Sequence, residues 1–99
     1  MAARHFSVTQ DVDGTFVFKG ELTIHDLDYL KDVLEAASER ARMLSLSFQE
    51  VEFADTETIQ FLTAFRRHVG KTREWRIAAL SKEMERLLSL CGVKDAFLQ

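Results

Sequence analysis

The sequence predicts an α/β fold: a single domain over residues 1–99, with a small mixed sheet of four or five strands and helices packed mainly on one face. Three observations carry this. Apolar spacing switches along the chain between the two-residue period of a strand and the three-to-four-residue period of a helix. An Asp13-Gly14 dipeptide separates two short apolar runs near the start, the pattern of an opening hairpin. Strand, helix and strand patterns then follow one another, which gives a β-α-β unit with parallel strands and a right-handed crossover.

In chain order, His5 to Gln10 places Phe6 and Val8 on one face, and Thr15 to Lys19 continues with Phe16, Val17 and Phe18. The Asp13-Gly14 pair between them suits a two-residue type I′ turn, in which both central residues need positive φ. Gly20-Glu21-Leu22 ends the second strand. Asp26 then opens a helix with Leu27, Leu30, Leu34, Ala37 and Ala41 on one stripe and Lys31, Asp32, Glu35, Glu39 and Arg42 on the other side. Asp26 and Asp28 at its start and Arg40 and Arg42 at its end match the helix dipole.

The stretch from Leu44 to Leu62 organises the rest. Leu44, Leu46 and Phe48 alternate with Ser45 and Ser47 as a strand with one apolar face, and Val51 and Phe53 anchor the connection that follows. Beyond Asp55, the residues Ile59, Leu62, Phe65 and Val69 recur at helical spacing, so Asp55 or Thr56 is the N-cap. This helix runs to about Val69 and is stopped by Gly70 as its C′ residue. Arg66, Arg67, His68, Lys71 and Arg73 gather near its end. Cations matched to the helix dipole explain them, and a docking patch for an acidic partner is the functional alternative.

Trp75, Ile77 and Ala79 form one face of a further strand, with Ala78 and Leu80 on the other and helices approaching closely at the two alanines. Ser81 caps the last main helix, where Met84, Leu87, Leu88 and Cys91 make the buried stripe. Gly92 terminates it, Val93 is placed for a Schellman contact, and the chain closes in a short turn to Leu98.

Composition bounds the function. A hydrophobic content of 46% with 29% charged residues belongs to an ordinary globular protein, and no apolar run approaches the roughly 20 residues of a membrane span. The start, from Met1 to Val8, lacks the apolar core of a signal peptide, so a cytoplasmic location is expected. The net charge of −3 argues for protein partners over nucleic acid, whose phosphates want a basic surface. Cys91 is the only cysteine, which rules out an intramolecular disulfide, and on its apolar stripe it reads as a buried, inert thiol.

Phosphate-binding glycine loops, a nucleophile elbow and paired zinc histidines are all missing from the sequence. His5, His25 and His68 are scattered, so no catalytic residue, metal ligand or cofactor is expected. Thr56 carries the functional interest instead. A hydroxyl at a helix start is reachable by another protein, and the local amide groups stabilise a phosphate placed there. Capping is the plainer role for this turn, and Asp55 can fill it. Asp55, Glu57, Glu50 and Glu52 oppose an added phosphate, while Glu57 complements the positive helix end.

The strand, the Asp55-Thr56 turn and the helix after it resemble the signature of STAS domains, found in anti-sigma factor antagonists and in the tails of sulfate transporters. In that signature an Asp-Ser-Ser-Gly-like turn opens the helix, and the first hydroxyl is often phosphorylated by a partner kinase. Thr56 takes that hydroxyl position, Glu57 stands where a second Ser is common, Thr58 where Gly is common, and Ser47 where the strand often carries an acid. The Gly20-Glu21-Leu22 run and the C-terminal pattern from Leu80 to Phe97 match as well.

The resemblance implies a non-catalytic regulatory module in bacterial signal transduction. It would bind a kinase-type anti-sigma factor through Asp55, Thr56, Glu57 and Thr58 and be switched by phosphorylation of Thr56. It also implies two alternatives. One is an accessory subunit of an ABC-type lipid transporter, whose short STAS subunit likewise carries Asp-Thr at this turn. The other is a scaffold in a multi-STAS assembly.

Overall fold

The computed structural model describes residues 4–98; Met1 to Ala3, part of the stretch read above for a signal peptide, and Gln99 lie outside the described residues. Four strands form one sheet in the order β1-β2-β3-β4: β1 (Phe6–Gln10), β2 (Phe16–Leu22), β3 (Met43–Ala54) and β4 (Glu74–Leu80). β1 and β2 are antiparallel, and β2, β3 and β4 are parallel. The crossovers run through α1 (Leu27–Arg40) and α2 (Thr56–Val69), and α3 (Lys82–Leu90) and α4 (Lys94–Leu98) close the chain.

Successive strands are adjacent in the sheet, so right-handed crossovers place both connecting helices on one side. The core is accordingly a single cluster. Leu30 and Leu34 of α1, Ile59 and Leu62 of α2, Met84 and Leu88 of α3 and Phe97 of α4 meet Phe18, Leu44, Leu46 and Phe48 of the sheet. Each such side chain contributes about 1.5–3 kcal/mol of burial. Phe18 and Phe48 stack at 5.1 Å, and Phe97 reaches both Phe48 and Trp75. The Trp75 indole N–H donates to the Phe97 carbonyl at 3.0 Å, so the expected closing turn is a short helix pinned on the sheet. On the helix-free face, buried Thr15 and Ser45 join their hydroxyls at 2.9 Å.

Several local details differ from the sequence expectation. The hairpin turn is not type I′. Gly14 alone has positive φ (+91°), its N–H donates to the Asp11 carbonyl, and the Asp11 N–H donates to Thr15. That is a three-residue loop ending in a left-handed residue, which leaves Asp13 with ordinary φ. Gly20 has φ +106°, and a Cβ there would sit 2.5 Å from the His5 carbonyl oxygen, so β1 packs on bare backbone.

Helix ends differ too. A 3-10 turn, Ile24–Asp26, precedes α1, and the Asp26 carboxylate does not cap the helix: it accepts from the His5 N–H at 2.8 Å. Gly70 keeps right-handed φ (−61°) and is not a left-handed C′ residue, so the chain leaves α2 through further turns. At α3 the expectations agree. Ser81 accepts from the Met84 N–H, and Val93 and Gly92 donate to Leu88 and Ser89 in the Schellman pattern. Cys91, expected to be buried, is half-buried at the end of that helix.

β3 is longer than expected and reaches Ala54. Its register against β2 slips twice, between the Val17 and Lys19 pairings and again between Gly20 and Glu21, with the extra residue on β3 each time. A bulge reverses which face the following side chains take. Val51 returns to the core, but the second bulge places Phe53 opposite Glu21, and its ring is 42% exposed instead of anchoring the interior. β4 has a similar slip, since Leu46 pairs with Ile77 and Ser47 with Ala79. Ala78 is the extra residue. Leu80, not Ala79, joins Trp75 and Ile77 against the core, and the two alanines line a surface hollow with Ser47 and Val17 instead of receiving helices.

Candidate functional site

The turn between β3 and α2 is built on Asp55. Its backbone is extended (φ −86°, ψ 166°), and its N–H donates to the Leu22 carbonyl at 3.1 Å, continuing the β2–β3 ladder by one bond. Its carbonyl accepts the first helical bond from Ile59 at 3.0 Å. The carboxylate does two further things. Oδ1 accepts the Thr58 N–H at 3.0 Å, which caps α2, and Oδ2 accepts the Ile24 N–H at 2.8 Å from the segment before α1. One side chain thus fixes the helix start and ties the β2–α1 connection beside it.

Partial burial pushes the Asp55 carboxyl upward. The hydrogen-bond donors on Thr58 and at the Ile24 amide outweigh burial, the nearby His25 adds to them, and the group stays below the ordinary carboxylate range. A helix N-terminus with a charged cap is also where the dipole most favours an anion. Asp26, next door, is likewise held low, chiefly by the His5 N–H and against a small cost of burial.

Because Asp55 does the capping, Thr56 is free of that task. It is the first residue of α2 and exposed, and Glu57 beside it is exposed as well. Thr58, expected with them on the partner-facing surface, is instead fully buried, so of the four residues Thr56 and Glu57 face outward over Asp55 and Thr58. The sequence reading missed two apolar neighbours. Ile24 is 51% exposed and is held at this turn through its amide, and Phe53 stands exposed two residues before Asp55. An apolar residue among Thr23, His25 and Asp26 was the available signal for the first; nothing local marks the second.

The surface that results is an exposed threonine on a fixed helix start, flanked by two apolar side chains and by Glu21, Glu52 and Glu57. Among the described residues, no three His, Cys, Asp or Glu side chains are grouped to hold a metal ion, and no helix is long and apolar enough to cross a membrane. A hollow of about 670 Å³ lies elsewhere, on the helix-free face between Asp11, Asp13, Thr15 and Ala79.

The chain matches the family model described as "Mlab, STAS domain" over residues 7–99. Among solved structures it is similar to the anti-sigma factor antagonist SpoIIAA in its unphosphorylated form, with 14% identity and a TM-score of 0.68 over 95% of this chain and 85% of that one. It is also similar to an anti-sigma factor antagonist from Mycobacterium paratuberculosis, with 22% identity and a TM-score of 0.77 over 98% of this chain and 87% of that one. At these identities the likeness is one of fold. No curated protein matches.

Proposed function

Because this chain belongs to the STAS domain family, we propose that it is a non-catalytic regulatory module that binds a kinase-type anti-sigma factor or related signalling protein through the start of α2. In this reading Thr56 is the switch. The observation that carries it is the division of labour at the turn: Asp55 satisfies the Thr58 and Ile24 amides, so Thr56 is presented exposed on a fixed backbone and is not needed as the cap. A phosphate there adds about −1.5 to −2 charges. Placed among Glu52, Asp55 and Glu57, it meets like charge in any contact that excludes water.

A second reading, an accessory subunit of an ABC-type lipid transporter, is favoured by the same acidic surroundings, which suit a turn that binds constitutively. Titration calorimetry against a kinase-type ATPase encoded near this gene tests the first. Thr56→Ala should bind as the parent does, and Thr56→Glu should bind more than tenfold more weakly, about 1.4 kcal/mol. Equal affinities for all three forms would remove the switch. Co-purification with a permease and its ATPase, unaffected by either substitution, would move the assignment to the transporter.

A further inference from the structure

We infer that the hollow between the second half of α2 and α4 is a binding site for a phosphate group, with the guanidinium groups of Arg66 and Arg67 as its ligands. The hollow, about 280 Å³, is lined by Thr63, Arg66, Arg67 and Ala96. Thr63 is buried and its hydroxyl donates to the Ile59 carbonyl at 2.8 Å, so it supplies a floor and no free donor. Residues three and four positions apart are neighbours on a helix surface. Arg66 and Arg67 therefore flank Thr63, and Ala96 faces them from α4 with only a methyl group.

Two features of Arg66 are not those of a solvated cation. Its Nε–H is buried and has no hydrogen-bond partner among the described residues. Unmet buried donors are rare, and one beside a hollow marks a place for a ligand or ion. In addition, its Nη1 rests 3.2 Å from the point where a Cβ on Gly70 would stand. Gly70 has right-handed φ (−61°), so its backbone does not require glycine, and the bare Cα instead leaves room for the guanidinium. The helix dipole accounts for positive charge at the end of α2. It does not account for a guanidinium held against the chain with its Nε–H unmet, and neither Arg66 nor Arg67 is in an ion pair among the described residues. A turn of the Arg66 side chain brings its Nε–Nη edge to the hollow, where it offers two parallel N–H donors to an oxyanion.

The surroundings leave this charge uncompensated. Glu35 and Glu39 line a groove on the opposite side of α2, with Phe61, Ala64 and His68. Glu83 and Glu85 of α3 are already paired with Arg86 and Lys94. Glu74 shares a hollow with Gly70, where Arg42 and Arg73 outnumber it. The hairpin acids Asp11 and Asp13 line the hollow on the helix-free face, with the sheet in between. Asp95 precedes Ala96 on α4 but is exposed and does not line the site.

Size and donor count select the ligand. Pockets that enclose a drug-sized molecule hold about 300–1,000 Å³, so this hollow takes a head group and leaves the rest of its carrier in solvent. Two guanidinium forks offer more donors than one carboxylate uses, whereas a phosphate brings three acceptor oxygens and about −1.5 to −2 charges. Thr56 begins α2, about 15 Å from Arg66 along the helix axis. The phosphate site is thus separate from the switch proposed above and does not rest on it.

Heteronuclear NMR on the full chain, titrated with inorganic phosphate at neutral pH and constant ionic strength, tests the site. The Arg66 Nε–H signal and the amides of Thr63 and Ala96 should shift together and saturate. Arg66→Gln and Arg67→Gln should each weaken binding by about tenfold or more. Lys31→Gln, which removes the same charge from an exposed position on α1, should leave binding unchanged. Gly70→Ala alters no charge and should still weaken binding several-fold, because the added methyl displaces the guanidinium. A second arm measures co-sedimentation with phosphatidylcholine vesicles, with and without phosphatidic acid. Binding to the phosphatidic acid vesicles alone, lost in both arginine variants, supports the site and makes a lipid surface the source of the phosphate; saturable binding of inorganic phosphate makes the source a soluble one. Urea midpoints establish that each variant is folded. The inference is overturned if phosphate shifts fail to saturate and vesicles bind equally with and without the arginines, or if Arg66→Gln and Lys31→Gln bind alike.

Discussion

Replacing Asp55 with Ala probes the turn most directly, because the carboxylate bonds both to Thr58 in its own helix and to Ile24, 31 residues away in sequence. Loss of an N-cap side chain costs about 1 kcal/mol. A hydrogen bond to a charged group contributes about 1.5–3 kcal/mol, but Ile24 is half exposed, so water recovers part of the second bond. The expected loss is about 2 kcal/mol. With a urea m-value of about 1–1.5 kcal/mol/M, the denaturation midpoint should fall by about 1.3–2 M. Asp55→Asn keeps an acceptor for Thr58 and should lose about half as much.

The pH dependence has a definite sign. The folded Asp55 carboxyl lies below its ordinary range, so its stabilisation is present above the unfolded value of about 3.9 and is lost as pH falls through the folded value. The gap between parent and Asp55→Ala should therefore be full from neutral pH down to about 4 and should narrow below that. Urea titrations at neutral pH and in acid check both statements. An Ala variant within about 0.5 kcal/mol of the parent at neutral pH, or a gap that persists unchanged in acid, would refute the reasoning that places Asp55 at the centre of the turn.

Other expectations follow from burial and backbone geometry. Leu46→Ala should cost about 2–5 kcal/mol, because the side chain is fully buried, whereas Phe53→Ala should cost about 1 kcal/mol or less; equal midpoint shifts in urea would mean that the second bulge in β3 is misplaced. Gly20→Ala should destabilise by at least about 2 kcal/mol through strain at positive φ and collision with the His5 carbonyl, and a wild-type melting temperature for this variant would rule out the close approach of β1. Cys91, half-buried at the end of α3, should react with maleimide in the native protein at a rate set by local access. Labelling that tracks global unfolding across a urea series would restore the buried thiol.

Apolar periodicity made the four strands, the main helices and their order legible, because period two and period 3.6 reflect which faces must leave water. The Asp55 cap was legible for a similar reason, since cap chemistry is local. What escaped the sequence was register. Val51-Glu52-Phe53 reads as one uninterrupted alternation, and only the pairing of Phe53 with Glu21 on another strand reveals the inserted residue that turns the ring outward. Ala78 and Ala79 were misassigned in the same way, by a slip visible only against Ser47. The bond from Asp55 to Ile24 joins positions far apart in the chain, and no local pattern encodes it. Thr58 carries the commonest of these errors. A polar residue in the first turn of a helix looks like surface, yet the third position past the cap faces inward here.

The unequal flanking of β3 sets a gradient of opening along it. At Leu46 and Ser47 the strand is paired on both sides, while from Glu50 to Ala54 its ladder partners belong to β2 alone. Amide protons in the first segment can exchange with solvent only when the sheet comes apart as a whole, on the slow scale of global unfolding. Those of the second segment need only the loss of one ladder. Asp55 and Thr56 are therefore carried at the end of a strand that is rigid in its middle and able to breathe at its tip, so what docks on that tip also slows its fluctuations.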